Sequence, residues 1–160
     1  MAAITLDGMI GKTANHLSTD WTSKADTKLF ISITKEAGAI IMGRTTYDTI
    51  GRPLPKRLNY ILTSTPEKYE NISTDGLLEF HKKNPQETCD YLKSKGFEKA
   101  ILCGGAKTYS QYFEEGLVDE LYLTIEPKLF GNGVNLLGEY SADLDLELLS
   151  FEKIGNNSLF

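Results

Sequence analysis

Apolar positions along this chain fall into short runs, and the stretches between them carry apolar residues at helical spacing. Runs rich in branched and aromatic residues and bounded by turn formers suit extended chain. They predict strands at residues 2–6, 39–42, 59–62, 77–80, 100–103 and 120–125. The helical spacing predicts helices at 23–37, 44–50, 85–95 and 106–114. Strands that alternate with helices imply βαβ units, right-handed crossovers and a mainly parallel sheet. The continuous apolar runs at 39–42 and 100–103 suit central strands covered on both faces. The end of the chain changes rhythm. Residues 144–148 alternate Leu and acid, which predicts a strand through 153. Gly155-Asn156-Asn157 is a turn candidate before a last strand at 158–160, together an antiparallel hairpin on one edge.

Length and composition narrow the class. At 160 residues, 41% hydrophobic and 24% charged, the chain suits one globular domain over 1–160 with a sizeable core. No apolar run approaches the ~18 residues that span a bilayer, and no export signal is visible at the N-terminus. The two cysteines, Cys89 and Cys103, form no CxxC or Cys/His cluster, and His16 and His81 lie far apart. A metal site is therefore not expected, and a reducing, cytoplasmic setting is. The formal charge of −5 argues against nucleic-acid binding but leaves room for a local basic pocket.

Three constellations carry candidate chemistry. Asp26 shares the face of its helix with Leu29, Phe30, Ile33 and Ala37. A carboxyl on an apolar face has its proton affinity raised and suits proton donation or ligand anchoring. Ser23-x-x-Asp26 is also a capping-box pattern, so the same acid serves either role at this level. Trp21, just before the helix, is a packing residue or the lid of a site. Next, two strands run into turns that open helices, Gly43-Arg44-Thr45-Thr46 and Cys103-Gly104-Gly105-Ala106-Lys107. Helix-opening amides bind phosphate, and two such turns side by side would form a dinucleotide crevice. Last, Gly51-Arg52-Pro53-Leu54-Pro55-Lys56-Arg57 is a rigid basic loop in an acidic chain. It is either solvated or a dock for a carboxylate, which the Arg fork matches.

These blocks, taken in order, resemble the dihydrofolate reductase family. The segment from Trp21 to Phe30 resembles the family's tryptophan followed by the helix that bears the pterin-binding acid. The segment from Gly43 to Pro55 resembles the stretch GR-x-T-[WY]-x-x-[IL]-GRPLP. Leu62-Thr63-Ser64, the GG-x-x-x-Y turn ending at Tyr109, and Leu121-Tyr122-Leu123-Thr124 complete the match. The resemblance implies a three-layer α/β sandwich. Its central sheet would be mixed, mainly parallel and about eight strands wide, with an antiparallel C-terminal hairpin and flanking helices.

The same resemblance implies hydride transfer from NADPH to C6 of dihydrofolate, with a proton delivered to N5. Asp26 would pair with the pterin, with Thr124 beside it through a water, and Trp21 and Tyr109 would complete the catalytic centre. Ala2, Ala3, Phe30, Ile50, Leu54 and Cys103 would line the substrate, and Arg57 would hold its glutamate carboxylate. Arg44 and Ser64 would take the cofactor's 2′-phosphate, flanked by Leu62 and Thr63. Thr45, Thr46, Gly104, Gly105 and Lys107 would follow the pyrophosphate. Ile10, Gly43, Cys103, Ala106, Thr108 and Tyr109 would close on the rest of the cofactor. A monomer acting on a small molecule is expected.

Three departures stand out. Residues 11–20 form a longer, more polar loop than in bacterial family members, with Asp20 where an apolar residue precedes the tryptophan. The pocket carbonyls near Met1 and Ala2 would lie at a frayed end. The last strand is short. Thr5-Leu6-Asp7-Gly8-Met9-Ile10, Val118-Asp119-Glu120-Leu121 and the segment from Pro127 to Gly133 also resemble the riboflavin-biosynthesis reductase domain. That group's substrate is a ribosylaminopyrimidine phosphate. Asp26 and the GRPLP–Arg57 block favour the folate reductases. A third reading is a nucleotide-binding module that holds NADPH and turns over no pterin.

Overall fold

A computed structural model describes residues 1–140, 143–155 and 158–160. The strands are β1 (Ala2–Thr5), β2 (Met9–Gly11), β3 (Ala39–Gly43), β4 (Leu58–Leu62), β5 (Leu78–His81), β6 (Ile101–Leu102), β7 (Leu123–Glu126), β8 (Val134–Asn135), β9 (Lys153–Ile154) and β10 (Ser158–Leu159). The helices are α1 (Lys24–Ala37), α2 (Arg44–Ile50), α3 (Pro85–Ser94) and α4 (Ala106–Glu114).

Two four-stranded sheets, in the orders β5-β4-β3-β6 and β1-β7-β10-β9, carry the fold. They abut where the Met1 nitrogen donates to the Leu102 carbonyl at 3.0 Å. That bond sets the edge strand β6 of one sheet beside the start of β1, the edge strand of the other. Pairing is parallel from β5 through β3 to β6 and between β1 and β7. It is antiparallel through β10 and β9, as the expected hairpin edge requires. The fold class read from the sequence holds: α/β, with a mixed and mainly parallel sheet.

β3 is buried along its apolar length, Ala39 through Met42, because helices cover both of its faces. Its side chains alternate between two clusters. Ala39 and Ile41 pack with Leu58, Tyr60, Leu92 and Tyr112, and Ile40 and Met42 pack with Tyr47, Ile61, Leu78 and Phe80. Burying one large apolar side chain is worth roughly 1.5–3 kcal/mol, so these clusters fix the strand ends from which the site is built. α3 opens with a complete capping box between Asn84 and Glu87.

Several expectations need correction. The strand expected at 144–153 reduces to Lys153–Ile154. Leu144, Leu146 and Leu148 alternate as a strand would, yet all three are exposed and residues 144–149 pair with no strand. Alternation makes a segment fit to pair, but a ladder needs a neighbour with free backbone groups. The turn expected at Gly155-Asn156-Asn157 includes two residues outside those described. The expected strands at 100–103 and 120–125 contract or shift to β6 and β7. The short pair β2 and β8 was not expected. Met1, expected to fray, is buried and bonded on both sides, since Tyr109 Oη also donates to its carbonyl at 2.6 Å.

Candidate active site

α1 starts at Lys24 because Ser23 takes extended geometry and its Oγ accepts from the Asp26 nitrogen at 3.1 Å. Only half of the expected capping box forms. The Ser23 nitrogen donates to Glu126 Oε1 at 2.6 Å, from β7, so the Asp26 carboxylate is free of the cap. It sits 7% exposed on the wall of a cavity of about 1140 Å³. Burial raises its pKa above the ordinary carboxylate value, the Thr124 and Thr22 hydroxyls pull it back, and the charge of Glu126 pushes it up again. Thr124 Oγ1 is fully buried with no partner in hydrogen-bonding geometry. It stands ready for a water or ligand atom beside the acid.

Beyond Asp26 the cavity follows α1 to Phe30, with Ala2 and Ala3 of β1 and Ile50 of α2 on its walls. Leu54 and Arg57 close this end. Arg57 is buried, its Nε donates to the Pro55 carbonyl at 3.1 Å, and its Nη1 donates to Thr34 Oγ1. No acidic side chain pairs with it among the described residues. A buried guanidinium without a carboxylate is a prepared site for one, because an unpaired buried charge is costly.

The other end of the cavity is built from strand ends. The Gly43 nitrogen donates to the Gly104 carbonyl at 2.8 Å, and the Cys103 nitrogen to the Ile41 carbonyl at 2.8 Å. These bonds set the two expected turns side by side. A Cβ on Gly43 would lie 2.8 Å from Thr108 Oγ1, and Gly104 has φ +109, a backbone that side chains rarely adopt. Glycine is therefore needed at both, and the backbone stays open to a ligand. Thr45, Thr46, Gly105, Ala106 and Lys107 line this stretch, and Ile10 of β2 faces it. Leu62, Thr63 and Ser64 follow at the end of β4, opposite Arg44. Arg44 pairs with Asp48 one turn along α2. Burial pushes the Cys103 thiol up to about 12 and the Tyr109 hydroxyl well above its ordinary value, so both stay protonated.

Two of the expected residues lie behind the wall. Thr124 is under Asp26, as described. Trp21 is buried, with its ring 5.2 Å from that of Phe130 and 6.5 Å from that of His16, and its Nε1 has no partner. The polar loop before it works locally. The Lys12 nitrogen donates to His16 Nδ1 at 3.0 Å, and Ser18–Asp20 forms a 3-10 turn that leaves Asp20 exposed. His16, Leu17, Ser18 and Thr19 edge the cavity mouth.

Sequence reasoning passed over several residues. His81, Lys82 and Lys83 line the end of the cavity near Ser64, and the run His-Lys-Lys just after a predicted strand was the available signal. Lys35, also passed over, lines the cavity with Arg57 and with Arg52 of the expected basic loop. Glu126 was also missed, although in a strand it must share the face of Thr124, two residues earlier.

A mainly parallel sheet with a cleft at its strand ends, two glycine turns at the cleft and a buried acid beside them defines an α/β protein with a ligand site at the carboxyl ends of its strands. The family model described as dihydrofolate reductase matches residues 1–134. A dihydrofolate reductase of Haemophilus influenzae is 32% identical over 133 residues, covering 82% of this chain and 74% of that protein. Among solved structures, a putative riboflavin biosynthesis protein from Shewanella sp. PV-4 superposes with TM-score 0.77 at 24% identity, covering 99% and 92% of the two chains. A diaminohydroxyphosphoribosylaminopyrimidine deaminase/5-amino-6-(5-phosphoribosylamino)uracil reductase from Thermotoga maritima gives TM-score 0.76 at 16% identity, with this chain spanning 53% of it. The chain belongs to the dihydrofolate reductase family, and its activity class is that of a dihydrofolate reductase-like oxidoreductase.

Proposed function

We propose that the protein reduces 7,8-dihydrofolate to tetrahydrofolate with NADPH. The observation that carries this reading is one continuous cavity with a freed, buried acid midway and an unpaired buried guanidinium at one end. An acid and a guanidinium in one cavity suit a heterocycle carrying an amine and ring nitrogens, joined to a carboxylate tail. Reductases of this family use NADPH, and the residues present fit it. The bared backbone at Gly43 and Gly104 gives close approach for a pyrophosphate. Lys107, Arg44, Ser64 and the flanking Lys82 and Lys83 supply donors for phosphate oxygens.

When bound, NADPH supplies the hydride. The chain's own residues do the rest. Asp26 orients the pterin by accepting from its amino group and ring NH, and its proton affinity, raised by burial, keeps protonation at N5 favourable, directly or through water. Thr124 Oγ1 holds a water against the acid. Arg57 fixes the glutamate carboxylate and so the distance of the ring from the glycine turns. Phe30, Ile50 and Leu54 exclude water around the rings.

A second reading comes from the full-length structural likeness to riboflavin-pathway proteins. There the substrate would be a ribosylaminopyrimidine phosphate, with Arg57 meeting the phosphate. NADPH consumption with each acceptor separates the two. Faster turnover of dihydrofolate supports the folate reading, and turnover of the pyrimidine alone overturns it. NADPH binding with turnover of neither leaves an idle module.

A further inference from the structure

Within this chain, two helices open on the same kind of sequence and end up differently. In α3 the Asn84 side chain accepts from the Glu87 nitrogen at 2.8 Å, and the Glu87 carboxylate reaches back to the Asn84 nitrogen at 2.9 Å. In α1 the Asp26 nitrogen binds Ser23 Oγ, but the Ser23 nitrogen is taken by Glu126 Oε1 at 2.6 Å. The second Glu126 oxygen, Oε2, accepts from Ser158 Oγ of β10 at 2.7 Å, and Ser158 Oγ lies 3.3 Å from Ser23 Oγ. Glu126 is 3% exposed, and no cation pairs with it among the described residues.

We propose that Glu126 is a positioning residue: it occupies the cap that Asp26 would otherwise close, so that Asp26 points into the cavity. Its charge also raises the proton affinity of Asp26 beyond what burial does. This inference rests on the reading of Asp26 as the acid of the reduction. A capping carboxylate is drawn to the helix amides and stays ionised there. Displacing it by another carboxylate takes it off the amides and sets a like charge near it, which favours its neutral form. Glu126 faces Asp26 from β7, and the cavity that Asp26 enters is also lined by Lys35, Arg52 and Arg57, by His16 of the loop before α1, and by Cys103 and the Met1 ammonium. Of all these, Glu126 is the charge that bears on the carboxyl. The C-terminal strand, through Ser158, holds the device in place.

The test is a carboxyl-carbon NMR titration of Asp26 in the wild type and in Glu126→Gln, with no ligand present. Glutamine keeps an acceptor for the Ser23 nitrogen, donates to Ser158 Oγ where the carboxylate accepted from it, and removes the charge. The Asp26 midpoint is expected to fall by ~0.5–1 pH unit. Turnover of dihydrofolate well above both midpoints should then fall ~3- to 10-fold, with little change in acid. Glu126→Ala frees the Ser23 nitrogen, so Asp26 should turn back onto it, with a still lower midpoint and weakened substrate binding. Equal midpoints in wild type and Glu126→Gln overturn the proposal. Should the variants not fold, the wild type alone decides. A through-hydrogen-bond NMR coupling from the Ser23 nitrogen to the Glu126 carboxyl carbon supports the proposal, and one to the Asp26 carboxyl carbon overturns it. A shifted midpoint in a protein that turns over no dihydrofolate keeps the positioning role and removes the folate reading.

Discussion

Tyr109 Oη donates to the Met1 carbonyl at 2.6 Å, a bond between residues 108 positions apart. It ties α4 to the first strand where the two sheets meet, under the cavity floor. Tyr109→Phe would leave a buried carbonyl without its donor. Losing such a bond costs about 1–3 kcal/mol, and chemical denaturation should show a loss of that size. Because the floor then loosens, cofactor affinity should fall as well. An unchanged midpoint of unfolding would show the bond to be dispensable.

Asp26→Asn should leave NADPH binding intact and lower dihydrofolate turnover at neutral pH by ~10²–10⁴-fold, the usual worth of a positioned proton-transfer group. Its effect on stability has the opposite sign. Burial raises the folded-state pKa of Asp26, so between the unfolded and folded values the native state binds more protons than the unfolded chain. Wild-type stability therefore falls as pH rises through that window. The asparagine variant escapes this loss. It should equal the wild type in acid and exceed it at neutral pH, as thermal melts across pH will show.

Arg57→Ala should weaken dihydrofolate binding by ~10- to 100-fold, the worth of a charge-assisted pair of about 1.5–3 kcal/mol. NADPH binding should change little. Equal losses for both ligands, measured by fluorescence titration, would place the carboxylate elsewhere.

Gly43→Ala tests the other end. The new methyl would lie 2.8 Å from Thr108 Oγ1, in the turn held by the Gly43–Gly104 bond. NADPH affinity should fall at least ~10-fold, as expected when a cradling turn is displaced by an ångström or so. The free protein should keep its circular dichroism.

How much of this was legible in the sequence differs from element to element. β3 and β4 read directly, since a strand buried on both faces writes itself as an apolar run. α1 read directly because its apolar face repeats at helical spacing. The GRPLP block placed Arg57, but its burial against Thr34 depends on α1 packing over the loop, which no local pattern records. The 144–148 alternation misled, since it specifies a face and not a partner. Leu148, 75% exposed, accordingly contributes little to the core, and Leu148→Ser should change stability by less than about 0.5 kcal/mol. Asp26 was ambiguous between cap and acid because the deciding residue, Glu126, lies 103 positions from Ser23. Nothing in the local pattern of α1 could settle it.

The most direct test of the central claim follows the hydride itself. NADPH carrying deuterium at its transferable position, incubated with the protein and dihydrofolate, should yield tetrahydrofolate deuterated at C6, seen by proton NMR and mass spectrometry. Asp26→Asn should slow its appearance without changing where the label lands. Absence of labelled tetrahydrofolate, with NADPH demonstrably bound, would contradict the account.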